Sequence, residues 1–223
     1  SVVDMGAHQA KVIEDWWYPK YVEKLCPQLP DWRALISCKH LFQKDNGVST
    51  KAVYYGGPWD YGDADLIRAL GLEFSIVRMP TDKELWRQLD KSVKDETPIL
   101  LLNWSPNWTD NHIPGEFVNF PKYTESCETE PGWGLNKTLL KDCGNKRQGW
   151  LKKVGSKYFK RDFSCSYDFV QAIQFTKKMI ADAASLVVLD KLSAQQAAKA
   201  WSHNYRENLK QWAAATRLPK NIG

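Results

Sequence analysis

The sequence of 223 residues has no apolar run that approaches the ~18 to 20 residues a membrane-spanning helix needs. Its longest apolar stretch, PILLLNW at residues 98–104, has the length of a buried strand. The first residues, SVVDMGAHQ, show no charged segment followed by an apolar one, so either a secretion signal was removed or the sequence has none. We therefore predict a globular chain that does not span a membrane.

The sequence also lacks the short motifs that mark common enzymes. It contains no G-x-S-x-G nucleophile elbow, no H-E-x-x-H metal motif and no phosphate-binding loop. No two of its four histidines share the spacing of metal ligands; they are His8, His40, His112 and His203. We therefore expect a protein that is not an enzyme and that needs no metal or other cofactor.

A concentrated basic face is missing as well. The net charge is +5, but apart from a basic stretch at residues 137–161 the lysines and arginines are scattered along the chain. Nucleic-acid-binding proteins usually gather such residues on one face. The sequence therefore predicts a mildly basic, solvated surface and no nucleic-acid partner.

The five cysteines include no C-x-x-C or C-x-x-H pair, which argues against a zinc site. Cys26 and Cys38 flank a turn followed by a helix, and Cys127 and Cys143 bracket a stretch with little periodicity. Both pairs are typical of local disulfides, which form in oxidising compartments, and they leave Cys165 as a half-buried helical thiol. The alternative is a cytosolic protein with five reduced cysteines.

Helices and short apolar strands alternate over the first half of the chain. Three strand-sized segments, Lys51–Tyr55, Phe74–Val77 and Pro98–Asn103, are separated by the helix-sized segments Ala64–Leu70 and Thr81–Lys94. A β-α-β-α-β order predicts a parallel sheet in an α/β domain. Further helices are predicted over residues 32–42 after an Asp31 cap, over Tyr167–Val188, and from a capping box at Ser193.

Eleven tryptophans are an unusual surplus, and two of them follow predicted strands. Trp59 lies in YYGGPWDYG directly after the first strand, and Trp104 lies in NWSPNW after the third. The carboxyl ends of parallel strands meet at one edge of the sheet, where ligands bind. We therefore predict that Trp59 and Trp104 face one crevice, whereas plain core or hinge packing is the alternative for each.

Two tryptophan faces with few charges nearby suit a quaternary ammonium group. Such a group has no N–H to donate, and aromatic faces attract it by ~0.5 to 2 kcal/mol each. The same loop suits an anion, because Gly62 and Asp63 would start a helix and leave the backbone N–H groups of Asp60 and Tyr61 as donors. A ligand with an ammonium at one end and a carboxylate at the other would satisfy both.

Five blocks of the sequence resemble one family, and they run in order over nearly the whole chain. They are DWWYPKYVEKLCPQLPDWRAL, YYGGPWDYGDADLIRALGLEF, ILLLNWSPNW, GWLKK and SAQQAAKAW. The chain thereby resembles the substrate-binding proteins of bacterial ABC importers for glycine betaine, proline betaine and choline. The resemblance implies a two-lobed, periplasmic-binding-protein-like α/β fold, a non-catalytic role, an extracytoplasmic location and a membrane permease as partner.

The resemblance also implies roles for particular residues. Trp59 and Trp104 correspond to tryptophans of the ligand box, and the amides of Asp60 and Tyr61 correspond to those that hold a ligand carboxylate. Trp108 belongs to the same motif and is expected to pack.

This chain departs from the family in one respect, because family members carry a further block before the segment that corresponds to SVVDMG. We therefore expect residues 1–19 to be a remnant of the first lobe and a crossover, residues 20–145 to form the second α/β lobe, and residues 146–223 to form a crossover and C-terminal helices of an incomplete first lobe. Processing, a separate chain that completes the lobe, or a changed role would each explain the difference, and a homo-oligomer could cover the exposed lobe face. The alternative function is a secreted interaction or storage protein that binds another small molecule or a protein.

Overall fold

The computed structural model describes residues 2–44, 51–59, 61–147 and 149–216. The six strands in this part of the chain are β1 (Val2–Pro19), β2 (Ala52–Gly56), β3 (Phe74–Arg78), β4 (Leu101–Ser105), β5 (Gly115–Phe117) and β6 (Gly149–Ser156). Its α-helices are α1 (Ala34–Ser37), α2 (Asp63–Ala69), α3 (Asp82–Lys94), α4 (Thr109–His112), α5 (Ser126–Thr129), α6 (Phe159–Asp162), α7 (Ser164–Ala172), α8 (Lys177–Val188), α9 (Ala194–Asn204) and α10 (Arg206–Ala214). None of the helices described is both long and apolar enough to cross a bilayer.

The predicted α/β architecture is confirmed by the strand order, which is β3-β2-β4-β1-β5. Strand β2 pairs in parallel with both β3 and β4, as the alternation of short strands and helices predicts. Strand β5 pairs antiparallel with the end of β1, and β6 pairs antiparallel with its beginning. The carboxyl ends of β2, β3 and β4 therefore share one edge.

The chain divides into two compact units. The sheet unit comprises the described residues of Ile13–Trp104 and Ile113–Arg147. The helical unit comprises the described residues of Ser1–Val12, Ser105–His112 and Gln148–Gly223. The assignment of residues 1–19, 20–145 and 146–223 to particular lobes stays a prediction.

The core of the sheet unit includes the strands β2 and β4 and one face of α3. All five residues of β2 are buried, and Leu100, Leu101 and Leu102 are at most 1% exposed. Helix α3 begins after the Thr81 cap, whose side chain accepts a hydrogen bond from the Glu84 N–H, and it buries Leu85, Trp86 and Leu89. Strands buried on both faces are what a central parallel sheet requires.

The helical unit contains the β1–β6 ribbon and the helices from α6 to α10. The predicted capping box at Ser193 is present, with hydrogen bonds in both directions between Ser193 and Gln196. The Trp201 indole N–H donates to the Met179 carbonyl at 2.7 Å, which fixes α9 against α8. Phe175 packs edge-on against the rings of Trp201 and Trp212.

Both cysteine pairs singled out in the sequence form disulfides in the structure. Cys26 pairs with Cys38 and Cys127 pairs with Cys143, at Cα–Cα distances of 6.0 and 6.3 Å, and both bonds lie in the sheet unit. Cys165 is a free thiol, but it is exposed, so the prediction that it is half-buried was wrong. It lies on α7, a helix with no buried residue.

Two predicted helices are shorter than their sequence patterns indicated. The segment after Asp31 is α-helical only for Ala34–Ser37 and continues as a separate 3-10 helix, Lys39–Phe42, with the disulfide-bonded Cys38 between them. Tyr167–Val188 is not one helix either. Thr176 interrupts it by capping α8, where its side chain accepts from the Met179 N–H.

Candidate ligand-binding site

The rings of Trp59 and Trp104 lie in contact at the carboxyl edge of the parallel strands. Their centroids are 6.1 Å apart and their planes are inclined by 54°. Trp59 follows β2 by three residues. The sequence had suggested that Trp104 follows its strand, but in the structure Trp104 belongs to β4 itself. Trp59 is 36% exposed and Trp104 is half-buried, so the pair offers aromatic surface to solvent.

Gly57 allows the Trp59 ring to fold back over the strand ends. A Cβ atom on Gly57 would lie 3.0 Å from Leu102 Cδ2 and 3.2 Å from Trp59 Cε2. These distances are shorter than ordinary van der Waals contacts, so a side chain at this position would push the indole away. The Arg78 guanidinium holds the loop from the other side by donating to the Trp59 carbonyl at 2.7 Å.

Trp86 extends the aromatic pair, which its position in the sequence did not indicate. Its ring lies 5.1 Å from that of Trp104 at an angle of 56°, while Trp86 itself is only 5% exposed. Its periodic position beside Leu85 and Leu89 indicates core packing, which is correct, but periodicity says nothing about which ring it supports. Trp86 therefore backs Trp104 from the interior.

Tyr61 stands beside Trp59 and is anchored by a carboxylate. The two rings are 6.3 Å apart at 88°, and the Tyr61 hydroxyl donates to Glu14 Oε1 at 2.7 Å. Burial, and then the Glu14 hydrogen bond, raise the pKa of Tyr61 above its usual value, so the phenol is neutral at physiological pH. Asp60, the other predicted residue of this loop, lies outside the described residues.

An ion pair between buried Asp63 and partly exposed Arg78 fixes the start of α2 beneath the loop. Asp63 is 4% exposed, accepts from the Trp16 indole N–H at 2.9 Å and lies 3.3 Å from Arg78 Nη1. Trp16 in turn stacks on Tyr54 at 3.9 Å and is itself buried, so it packs and does not line the aromatic surface. This network ties the loop after β2 to β1 and β3.

A small polar cavity of about 160 Å³ lies on the other flank of Tyr61. Its lining includes Asp15, Asp63, Lys141 and Asn145. Burial raises the pKa of Asp15 to about 6, against the opposing effects of Arg147 and of hydrogen bonds from the backbone N–H groups of residues 16 and 145. Asp15 and Asp63 already have protein partners, so neither presents an unpaired carboxylate to the cavity.

The aromatic arrangement suits a ligand that lies over both indoles. Because the Trp59 and Trp104 rings touch each other, a cation cannot lie between them, but it can lie within about 6 Å of both centroids on their open side. Over the described residues, no group of three histidine, cysteine, aspartate or glutamate side chains is placed to hold a metal ion. Trp108 is 2% exposed, which agrees with the packing role expected for it.

The family comparison matches almost the entire chain. Residues 1–204 match the model of a family described as the substrate-binding domain of ABC-type glycine betaine transport systems. A trimethylamine N-oxide-binding protein of Pelagibacter ubique (strain HTCC1062) is 31% identical over 226 residues, which cover 97% of this chain and 68% of that protein.

Solved structures of solute-binding proteins share the fold. A lactococcal protein in its closed form with glycine betaine gives a TM-score of 0.57 at 14% identity, covering 95% of this chain and 70% of that one. A choline-binding protein of an ABC transporter, in complex with choline, gives a TM-score of 0.59 at 15% identity, covering 96% of this chain and 67% of that one. A glycine betaine and L-proline-binding protein from Borrelia burgdorferi gives a TM-score of 0.64 at 15% identity, covering 98% of this chain and 70% of that one. At these identities the likeness shows the fold alone.

Proposed function

Because the chain belongs to the family of substrate-binding domains of ABC-type glycine betaine transport systems, we propose that it binds a small quaternary ammonium solute at the Trp59–Trp104 pair. Members of this family are non-catalytic and work with an ABC permease. The observation that carries the proposal is the contact of two partly exposed indoles at the carboxyl ends of neighbouring parallel strands. Ligands bind at that edge in open α/β sheets.

The names of the relatives narrow the chemistry of the solute. Trimethylamine N-oxide, glycine betaine and choline all carry a fully methylated nitrogen, and each is named for one of the similar proteins. A methylated cation gains apolar contact and cation–π attraction from indole faces and needs no hydrogen-bond acceptor. We therefore propose the trimethylated nitrogen as the feature that this site recognises.

The loop after Trp59 is proposed to receive the other end of the ligand. By resemblance, the backbone N–H groups of Asp60 and Tyr61 would bind a carboxylate or another ligand oxygen. The position of Tyr61 beside Trp59 supports this assignment, since an oxygen there would lie next to a methylated nitrogen over the indoles.

An extracytoplasmic location and a permease partner are proposed from the family and from the disulfides. Extracytoplasmic solute-binding proteins deliver their ligand to a permease, and the two disulfides favour an oxidising compartment. The alternative of a secreted interaction or storage protein is not favoured by any observation, because the match to the solute-binding family extends over residues 1–204.

The test is a calorimetric titration of the protein with glycine betaine, choline and trimethylamine N-oxide. Trp59→Ala and Trp104→Ala should each weaken binding by about tenfold or more, because each removes one aromatic face and its apolar contact. Trp133→Ala is the matched control, since Trp133 is a partly exposed tryptophan of the same unit that lies outside β2, β4 and the loop after β2, and its loss should leave binding unchanged. Unchanged affinity in both site variants would refute the assignment.

A further inference from the structure

Glu14 is the acidic residue whose side chain accepts a hydrogen bond from Tyr61 in the loop after Trp59. It lies in β1, where the Asn145 side-chain amide donates to its backbone carbonyl at 2.9 Å, and its Oε1 accepts the Tyr61 hydroxyl at 2.7 Å. Hydrogen bonds to a charged acceptor are roughly twice as strong as neutral ones. Glu14 therefore ties an exposed aromatic side chain to a strand of the sheet unit.

The anchor determines how the Tyr61 ring is presented. Tyr61 is 38% exposed, and without a partner its side chain would be free to choose among rotamers. The bond to Glu14 instead holds its ring edge-on to Trp59, with the planes at 88°. Trp59 then has two aromatic neighbours, Trp104 at 6.1 Å and Tyr61 at 6.3 Å between ring centroids, so Tyr61 can form a third aromatic wall beside the indole pair.

The Glu14 carboxylate also brings a negative charge close to the Tyr61 side chain. In the part of the chain that the structure describes, no lysine or arginine forms an ion pair with it. The charge acts through a half-exposed surface, so it is weakened by solvent and by salt. The Arg78 guanidinium on the Trp59 carbonyl offsets part of it, although Arg78 is itself paired with Asp63.

We propose that Glu14 is a specificity-determining residue, which positions Tyr61 as a third wall and biases the site towards ligands with a net positive charge. This inference rests on the proposed function, because it assumes that a methylated nitrogen lies over Trp59 and Trp104. Choline carries a net charge of one and is attracted as a whole. Glycine betaine and trimethylamine N-oxide carry opposite charges close together, so attraction to one end is largely offset by repulsion of the other.

The expected size of the effect is modest and measurable. A unit charge at a separation of roughly 8 Å, with the dielectric screening of a protein surface, changes affinity by about threefold. Glu14→Gln keeps an oxygen that can accept the Tyr61 hydroxyl but removes the charge. It should weaken choline binding by about threefold and change the binding of the two net-neutral ligands by less than about 1.5-fold.

A second variant separates position from charge. Tyr61→Phe removes the hydroxyl that reaches Glu14 and leaves both the ring and the carboxylate in the protein. The affinity for all three ligands should then fall by a similar factor, because the ring at position 61 is no longer held in place while the Glu14 charge remains. The choline-to-betaine affinity ratio should stay at its original value.

Glu116→Gln is the matched control for the loss of one negative charge. Glu116 is exposed and pairs with Tyr18 in the β1–β5 register, four residues along β1 from Glu14, or roughly 13 Å. It should leave all three affinities unchanged. Calorimetry at low salt would measure the four proteins against the three ligands.

Each outcome has a distinct meaning. A fall in the choline-to-betaine ratio in Glu14→Gln alone supports the inference. An equal change for all ligands in Glu14→Gln, or no change at all, overturns it while the solute-binding proposal stands. If the unsubstituted protein binds none of the three ligands, the proposed function fails, and the inference that rests on it fails with it.

Discussion

The sheet unit and the helical unit differ in how deeply they bury their large apolar side chains. In the sheet unit, residues such as Tyr54, Leu85 and Leu100 have no exposed surface at all. The sheet unit also exposes some large apolar side chains, such as Leu25 at 54%. In the helical unit, Met5 and Trp108 are nearly as well buried as the sheet core, but most of the other large apolar side chains are partly or fully exposed. The two units therefore rely on the hydrophobic effect to different degrees.

The difference follows from their architectures. Parallel strands such as β2 lie inside a sheet and can bury both faces, so nearly every side chain adds to the core. The β1–β6 ribbon of the helical unit has only two strands, and an isolated pair of strands is marginal in water. The aromatic site lies in the sheet unit, where its backing side chains are fixed, and this favours a preformed binding surface.

The largest expected effect comes from creating a cavity in the sheet unit. Leu100→Ala should lower the free energy of unfolding by about 2 to 5 kcal/mol, because Leu100 is completely buried and the structure around a new cavity relaxes only partially. Urea denaturation would measure the change. Val154→Ala, on the exposed face of β6, should change it by no more than about 0.5 kcal/mol.

Amide hydrogen exchange would then locate the loss. Peptides from β2, β4 and α3 should lose protection in Leu100→Ala more than peptides from α7. If Val154→Ala proved as costly as Leu100→Ala, the contrast between the two units would not hold.

The disulfides give the second largest effect, and both lie in the sheet unit. Cys127 and Cys143 close a loop with a sequence separation of 16, and removing a bond of that span costs about 3 kcal/mol in the chain-entropy account. The double variant Cys127→Ser/Cys143→Ser should therefore melt at a lower temperature. Cys165→Ser, which removes the exposed thiol of the helical unit, should leave the melting temperature unchanged. A similar loss in both variants would contradict the prediction.

The local order of the sheet unit was predictable because its signals are local. The alternation of short apolar strands with helix-sized segments predicted β2, β3 and β4 to within a few residues. Their parallel order predicted that Trp59 and Trp104, near the carboxyl ends of β2 and β4, lie close together. The site assignment of Asp60 and of the Tyr61 amide stays a prediction.

The contacts that shape the site were not predictable, because they join distant parts of the chain. Glu14 and Tyr61 are 47 residues apart, and neither position carries a pattern that indicates the other. Trp86 shows only the periodicity of a core residue, although it backs Trp104. The cap at Thr176 was likewise hidden within a continuous apolar period. The first two are contacts between distant parts of the chain and the third is a local helix cap, and the spacing of hydrophobic residues encodes neither.

The smallest expected effect is a dependence on pH that has opposite signs in the two units. In the sheet unit, the pKa of Asp15 is about 6, above its ordinary value of 3.8, so between pH 7 and 5 the folded state binds a proton that the unfolded state does not. The free energy of unfolding should therefore rise by about 1 kcal/mol as the pH falls from 7 to 5.

In the helical unit, burial and then the Lys153 charge lower the pKa of His8 below 6.5. His8 Nδ1 accepts the Phe175 N–H, and the two rings stack at 4.8 Å, so protonation removes an acceptor from a packed position. Here the unfolded state binds the proton first, and stability should fall as the pH drops below about 6.5.

Amide protection factors, corrected for the intrinsic pH dependence of exchange, would measure both slopes between pH 7 and 5. Asp15→Asn should abolish the gain in the sheet unit alone, because an amide can still accept hydrogen bonds but cannot take up a proton there. His8→Gln should reduce the loss in the helical unit alone. Slopes of the same sign in both units, or a slope that survives its own variant, would show that other groups control the pH response. Opposite slopes would mean that mild acid loosens the helical unit while it strengthens the sheet that carries the aromatic site.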